Sequence, residues 1–154
     1  MKCNQCQFSD TKVIESRDVA EGLSTRRRRQ CLKCKARFTT YERLERPQLI
    51  VIKHDGSSQL YDRDKLMAGL HRACGKTPVT KLQLETLVSK IENKLYSRGE
   101  AEIESAEIGD LILEGLADLS EVAYVRFASV YRRFKDVNEF EKVLEKLRAK
   151  SNKS

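Results

Sequence analysis

The apolar positions of this chain change their period once, close to Pro47. Before that point they are sparse and alternate weakly with polar residues, as in Lys12-Val13-Ile14-Glu15-Ser16-Arg17, and a turn signal stands at Glu21-Gly22. Residues 25–30 and the run Arg37-Phe38-Thr39-Thr40-Tyr41, rich in β-branched and aromatic side chains, predict further short strands. Beyond Pro47, Gln48-Leu49-Ile50-Val51-Ile52-Lys53-His54 predicts a strand, Asp55-Gly56 a hairpin turn, and residues 57–61 an antiparallel return. The period then becomes helical. Asp62 is placed to cap a helix with Leu66, Leu70 and Ala73 on one face, stopping at Gly75 ahead of Pro78. Thr80 with Gln83 reads as a capping box for a second, with Leu84, Leu87, Val88, Ile91 and Leu95 at helical spacing and an end near Gly99. Ser105 is placed to cap a third, along Ile108, Leu111, Ile112 and Leu116. A fourth, over residues 120–135, carries Val122, Tyr124, Val125, Phe127, Val130, Tyr131 and Phe134 almost all round. It is predicted to be buried on several sides, either as the central helix or with one face against another subunit. Asn138 is placed to cap a last amphipathic helix with Phe140, Val143, Leu144 and Leu147, and residues 150–154 read as a disordered tail.

The pattern predicts an α+β chain. Residues 1–46 form a small module of short antiparallel strands, residues 47–139 a mainly α-helical module opened by a β-hairpin, and residues 140–154 a C-terminal helix and tail. A length of 154 residues suits two small modules with modest cores. No apolar run approaches a membrane span, and the start Met-Lys-Cys-Asn-Gln-Cys lacks the apolar stretch of a secretion signal, so the expected location is cytoplasmic. Charge sharpens the division. Residues 1–47 hold twelve basic against six acidic residues, a net of +6, whereas the remaining 107 hold eighteen against seventeen. The basic module is therefore the candidate for a polyanion.

That module also holds Cys3, Cys6, Cys31 and Cys34, two C-x2-C pairs separated by 24 residues. The spacing lets two tight turns each offer two thiolates to one tetrahedral ion, and metal binding supplies the folding energy that so small a segment lacks. Disulfides are disfavoured in a cytosolic chain. Iron in an all-sulfur site is the main rival to zinc, while a redox pair lacks the βαβ surroundings it needs. With four protein ligands such a site is closed and not catalytic.

Arg26, Arg27, Arg28 and Arg29 run directly into the second pair. In a strand Arg26 and Arg28 face opposite to Arg27 and Arg29, so the run cannot be core. Either it is a solvated edge or it addresses nucleic acid. Four adjacent arginines repel one another and the module holds few acids, a cost that polyphosphate removes. Arginine also permits bidentate contacts to phosphate or guanine. The candidate nucleic-acid contacts are these four with Arg17, Lys33, Lys35 and Arg37.

The second module shows no P-loop, no GxGxxG, and no catalytic triad or metal cluster. His54 and His71 are isolated, and Cys74 lies on the apolar side of its helix as a small hydrophobe. One pointer to a ligand remains. Lys53 ends the strand before the turn, and Lys65 lies in a first helical turn whose free backbone N–H groups favour an anion such as phosphate.

RRRRQCLKC-x2-RFTTYE (residues 26–42), VIKHDG-x4-YDRDKL (residues 51–66) and EVAYVRFASVYRRFKDVNEF (residues 121–140) together closely resemble the NrdR family. These are bacterial transcriptional repressors of ribonucleotide reductase genes, built from a zinc ribbon and an ATP-cone. The resemblance covers about residues 1–140. It implies one zinc per subunit on the four cysteines, duplex promoter DNA on the arginine-rich ribbon, ATP or dATP in the cone, and a homo-oligomer whose state the nucleotide switches. It also implies nucleotide contacts from Val51, from Lys53 as the phosphate-binding lysine, from Gln59, Tyr61 and Lys65 in the segment that follows, and from Ser105. Zinc knuckles of the family usually read CPxCG or CxxCG; here Asn4 replaces the proline, and Gln7 and Lys35 stand at the glycine positions. The knuckles are thus expected to be slightly strained or looser. Two rival functions differ in class. ATP-cones also precede ribonucleotide reductases, but the chain ends just past the cone, without room for a catalytic barrel. A ribosome-associated or RNA-binding zinc ribbon needs no deoxynucleotide sensor.

Overall fold

Strands β1 (Thr11–Val19), β2 (Ser24–Cys31) and β3 (Arg37–Arg43) form one antiparallel sheet in the order β1-β2-β3 in the computed structural model, which describes residues 1–132 and 134–151. They belong to the first of two compact units, Met1–Pro47 and Gln48–Ser154. The arginine run occupies the central strand. Arg26 stands opposite Arg17 and Tyr41, Arg27 opposite Ser16 and Thr40, and Arg28 opposite Glu15 and Thr39, with a register shift between Val13 and Glu15. The β1–β2 turn passes through Ala20, Glu21 and Gly22, all with positive φ (53°, 58° and 87°), so it begins one residue before the expected signal. Few side chains are buried in this unit, among them Cys3, Val19, Ala20 and Cys31.

In the second unit β4 (Ile50–Ile52) and β5 (Ser58–Leu60) form the expected hairpin. Its turn is tied by Lys53 N–H to Ser57 O at 2.8 Å and Gly56 N–H to Lys53 O at 2.9 Å. A third strand, β6 (Glu102–Glu104), lies parallel on the other side of β4, giving the order β5-β4-β6. Helices α1 (Arg63–Ala73) and α2 (Lys81–Tyr96) start as their sequences foretell. The Asp62 side chain accepts from the N–H groups of Asp64 and Lys65, and Thr80 with Gln83 makes a reciprocal capping box. Leu70, Leu84, Val88, Leu95 and Leu116 lose essentially all exposure and form the centre of the core, where Cys74 also lies as a small hydrophobe.

Three helical expectations are corrected. In α3 (Ser105–Leu119) Ser105 is the first helical residue, and the cap, Glu104, makes no side-chain cap bond, because β6 runs straight into the helix. Helix α4 (Glu121–Tyr131) is shorter than expected and, within this chain, is not a central helix buried on several sides. It packs on α1 and α3 through the small residues Ala123 and Ala128 with Tyr124, while Val122 and Val130 are 54% and 80% exposed. Close approach through alanine puts the larger apolar residues outside. Helix α5 (Val137–Ser151) starts ahead of Asn138, and the Glu139 N–H is accepted by Asp136 Oδ1 at 2.9 Å, so Asp136 fills the capping role given to Asn138. Its Val143 and Leu147 join the core. Lys150 and Ser151, expected in a disordered tail, are helical; residues 152–154 lie outside the described residues.

Candidate functional site

The Sγ atoms of Cys3, Cys6, Cys31 and Cys34 all lie within 4.8 Å of one another, with Cys3 and Cys34 3.6 Å apart and Cys6 and Cys31 3.7 Å apart. A tetrahedral ion with Zn–S of about 2.3 Å requires sulfur pairs about 3.8 Å apart. The electrostatics point the same way. The N–H groups of Cys6 and Gln5 hold the Cys3 thiol below its usual range. Burial pushes Cys31 up, but the N–H groups of Cys34 and Lys33 outweigh it and bring that thiol down to about 7. Cys34, although the Ala36 N–H favours its thiolate, is pushed up to about 12 by burial and by the sulfurs of Cys6, Cys3 and Cys31. Four thiolates at this spacing need a cation among them. The four cysteines are positioned to bind one zinc. The knuckle residues Gln7 and Lys35 adopt φ of 58° and 62°, the left-handed conformation for which glycine is the usual choice.

Around this centre the arginine run is only partly unpaired. Arg27 Nη1 donates to Glu42 Oε1 at 2.5 Å, Arg29 Nε to Thr40 Oγ1 at 3.1 Å, and Arg17 pairs with Glu15. The self-repulsion expected of the run is thus partly relieved within the sheet. Lys35 Nζ donates to Leu32 O at 2.9 Å and closes its own knuckle, while Lys33 lies over the Phe8 ring. Arg37 is exposed at the start of β3.

The second unit holds a cleft of about 780 Å³. Val51, Lys53, Gln59, Tyr61, Lys65 and Ser105 all line it, so six residues scattered over 55 positions meet in one place. Val51 and Gln59 are cross-strand partners, and Lys65 Nζ donates to Gln59 Oε1 at 3.1 Å, which ties α1 to the hairpin. At the hairpin tip the Ser57 hydroxyl and N–H hold the Asp55 carboxyl below its usual range. Lys53, Lys65, Arg132 and Lys135 give the cleft four cations, and Ile108, Ile112, Phe127 and Tyr131 an apolar wall. Cations beside an aromatic and aliphatic wall suit a ligand that joins phosphate to a flat ring. Two of the helix amides expected to be free at Lys65 are taken, since Asp62 Oδ1 accepts from the N–H groups of Asp64 and Lys65 at 2.9 and 3.1 Å. An anion here depends on the lysines instead.

Sequence reasoning missed the wall. Tyr131 stacks on Phe127 with ring centroids 5.8 Å apart and donates its hydroxyl to Ala106 O at 2.5 Å. It also borders an adjoining cleft of about 680 Å³, which shares His54, Ser105 and Arg132 with the first. Its only sequence signal was its place in an all-apolar helix. Behind the cleft, burial and then the Glu92 carboxylate push the Tyr61 hydroxyl above its usual range, and that hydroxyl donates to Glu92 Oε1 at 3.1 Å. No helix among the described residues is long and apolar enough to cross a membrane.

Two families match consecutive parts of the chain: the zinc-ribbon family described as "Transcriptional repressor NrdR-like, N-terminal domain" over residues 1–42, and "ATP cone domain" over residues 49–137. Among curated relatives, a protein named "Transcriptional repressor NrdR" from Petrotoga mobilis is 51% identical over 148 residues, 96% of this chain and 99% of that one. Proteins of the same name from Geobacillus kaustophilus and Caldicellulosiruptor saccharolyticus are 49% and 48% identical over 147 residues, each alignment covering 96% of both chains.

Proposed function

Since the chain belongs to the NrdR family of transcriptional repressors, we propose that it represses ribonucleotide reductase genes by binding promoter DNA through its first unit, under the control of ATP or dATP bound in the cleft of the second. Zinc, held by Cys3, Cys6, Cys31 and Cys34, fixes the sheet from which the arginines reach the phosphate backbone. Lys53 and Lys65 take the nucleotide's phosphates, and Tyr61, Gln59, Val51 and Ser105 shape the rest of its seat. Nucleotide identity acts through the oligomeric state of the protein. On this reading the chain is a regulator and not an enzyme.

The observation that carries the proposal is the convergence of those six residues on one cleft, in a chain whose other unit holds nearly all of its net positive charge. A general RNA-binding role would leave the cleft without a use. The test measures binding to a ribonucleotide reductase promoter duplex in matched ATP and dATP, with subunit mass followed in the same solutions. The expected result is a different mass and a different DNA affinity with each nucleotide. Identical masses and identical affinities at saturating nucleotide would overturn it.

A further inference from the structure

Side chains directly opposite one another in an antiparallel pair project to the same face of the sheet. The register of β1, β2 and β3 therefore sorts the basic residues of the first unit. Lys12, Arg17, Arg26, Arg28, Arg37 and Arg43 share one face, where Glu15 is the only acid among the strand residues. The other face carries Arg27 and Arg29 against Asp18 and Glu42. One face thus has a net charge of +5 and the other of zero, although the four central arginines divide evenly between them.

We infer that duplex DNA is contacted by the Arg26/Arg28 face alone, and that Arg27 and Arg29 brace the sheet from behind. The inference rests on the DNA-binding reading given above and specifies its surface. Arg27 and Arg29 already hold Glu42 and Thr40 across the β2–β3 pair; both are half-buried, as Arg26 is, so it is the partners that set them apart. Arg27, paired to a carboxylate, and Arg29, held by a hydroxyl, are not free to neutralise phosphates and so release few of the counterions condensed on the DNA, which leaves them a small share of the salt-dependent affinity. Arg26 and Arg28 have no hydrogen-bond or ion-pair partner among the described residues, and Arg28, Arg17, Arg37 and Lys12 are exposed. Two positions apart on a strand, Arg26 and Arg28 stand about 7 Å from each other, with Arg17 flanking them on β1 and Arg37 on β3. Tyr41 and Thr39 stand directly opposite Arg26 and Arg28 on β3, on the same face, and can supply hydroxyl contacts.

The experiment compares Arg26→Ala/Arg28→Ala with Arg27→Ala/Arg29→Ala in the full-length, zinc-loaded protein. Binding to promoter duplex is titrated over a range of salt with both ATP and dATP, and zinc content and resistance to a chelator are measured on the same samples. The first pair is expected to lower the log–log salt slope by about 1.8, two contacts at about 0.9 each, with zinc retention unchanged. The second pair is expected to leave the slope within about 0.5 of the parent and to lose zinc to the chelator more readily. Arg26→Lys/Arg28→Lys keeps the charge, so it should restore most of the slope. A slope lost through Arg27→Ala/Arg29→Ala, equally or alone, in protein that still holds its zinc, overturns the assignment of the face while leaving DNA binding by the ribbon intact. A slope unchanged by either pair overturns both.

Discussion

The ring of Tyr131 rests on the bare Cα of Gly109: a Cβ added there would stand 2.0 Å from Tyr131 Cζ and 2.2 Å from Cε2. Gly109 is therefore the seat that lets an α4 side chain lie against α3 and form the wall of the cleft. In an open helix Gly→Ala stabilises by about 1 kcal/mol, but here overpacking costs about 1–3 kcal/mol. Gly109→Ala should lower cone stability and weaken nucleotide binding, read by calorimetry and denaturant titration. In a Tyr131→Ala background the same change should become stabilising. If Gly109→Ala is stabilising in the parent protein as well, the seat is not tight.

Behind the cleft, Arg63 joins the start of α1 to the middle of α2. Its guanidinium reaches Glu85 Oε2 at 2.8 Å and also pairs with Glu92, which accepts from Tyr61. The side chains of Arg63, Glu85 and Glu92 are only 18%, 8% and 14% exposed. Removing the cation takes from two buried carboxylates the positive charge they share, so Arg63→Ala should destabilise the cone by about 3–5 kcal/mol. Tyr61→Phe, which deletes one bond, should cost about 1 kcal/mol. Urea denaturation of both variants checks the ranking; equal losses would mean that the pairs are not buried in solution.

Gln7 and Lys35 occupy left-handed backbone that costs a residue with a Cβ about 1–2 kcal/mol. Gln7→Gly relieves that cost at the loss of some chain entropy, so it should stabilise the zinc-bound ribbon by about 1 kcal/mol. Slower zinc loss to a chelating dye would show it. Lys35→Gly should gain less, because it also deletes the Nζ bond to Leu32 O.

Features set by local chemistry were readable in the sequence. The C-x2-C spacing foretold the sulfur cluster, Asp62 foretold its cap, and Thr80 with Gln83 foretold a capping box that the structure contains. Features that depend on pairing at a distance were not. Strand β6 has three residues and one buried side chain, Ile103, too short to show a period; it exists because it lies beside β4. Helix α4 looked buried from its composition, but Ala123 and Ala128 chose its packed face and left Val130 outside. Of the six cleft residues, Lys53 and Lys65 showed in their positions as a pointer to phosphate, whereas Val51, Gln59, Tyr61 and Ser105 were legible only through family resemblance. Of Tyr131 and Gly109, which come together across α3 and α4, only Tyr131 carried a signal, its place in an apolar helix.

Metal removal should act on one unit only. The first unit has few buried side chains besides Cys3 and Cys31, whereas the second has its own core of leucine, isoleucine and valine. Metal binding is then most of the folding energy of the ribbon. A strong chelator, or Cys31→Ser, should unfold residues 1–46 and abolish DNA binding while nucleotide still binds the cone. Metal analysis and hydrogen exchange resolve the two units. Loss of protection across α2 and α3 on chelation would contradict the division.

Six residues separate the end of β3 at Arg43 from the start of β4 at Ile50. So short a connection limits how far each ribbon can depart from its cone, and a nucleotide that changes how cones assemble also changes how ribbons are spaced. Duplex DNA selects ribbon spacing through its repeat of about 34 Å per turn. The cleft can therefore control DNA binding without touching the DNA, provided the nucleotide's affinity differs between assemblies. Linkage makes the effect reciprocal: promoter duplex should tighten binding of the corepressing nucleotide by the same factor by which that nucleotide tightens DNA. On the proposed function, repression should rise when deoxynucleotides are plentiful, which makes dATP the expected corepressor. Lys53→Ala and Lys65→Ala each remove one cleft cation, so each should weaken nucleotide binding by about tenfold or more, the worth of one charge-assisted bond of about 1.5–3 kcal/mol. Zinc content should stay at one per chain, and DNA affinity should no longer depend on which nucleotide is present. Calorimetric titration of nucleotide with and without duplex measures both arms of the cycle. If the lysine variants keep their nucleotide response, the switch does not run through this cleft.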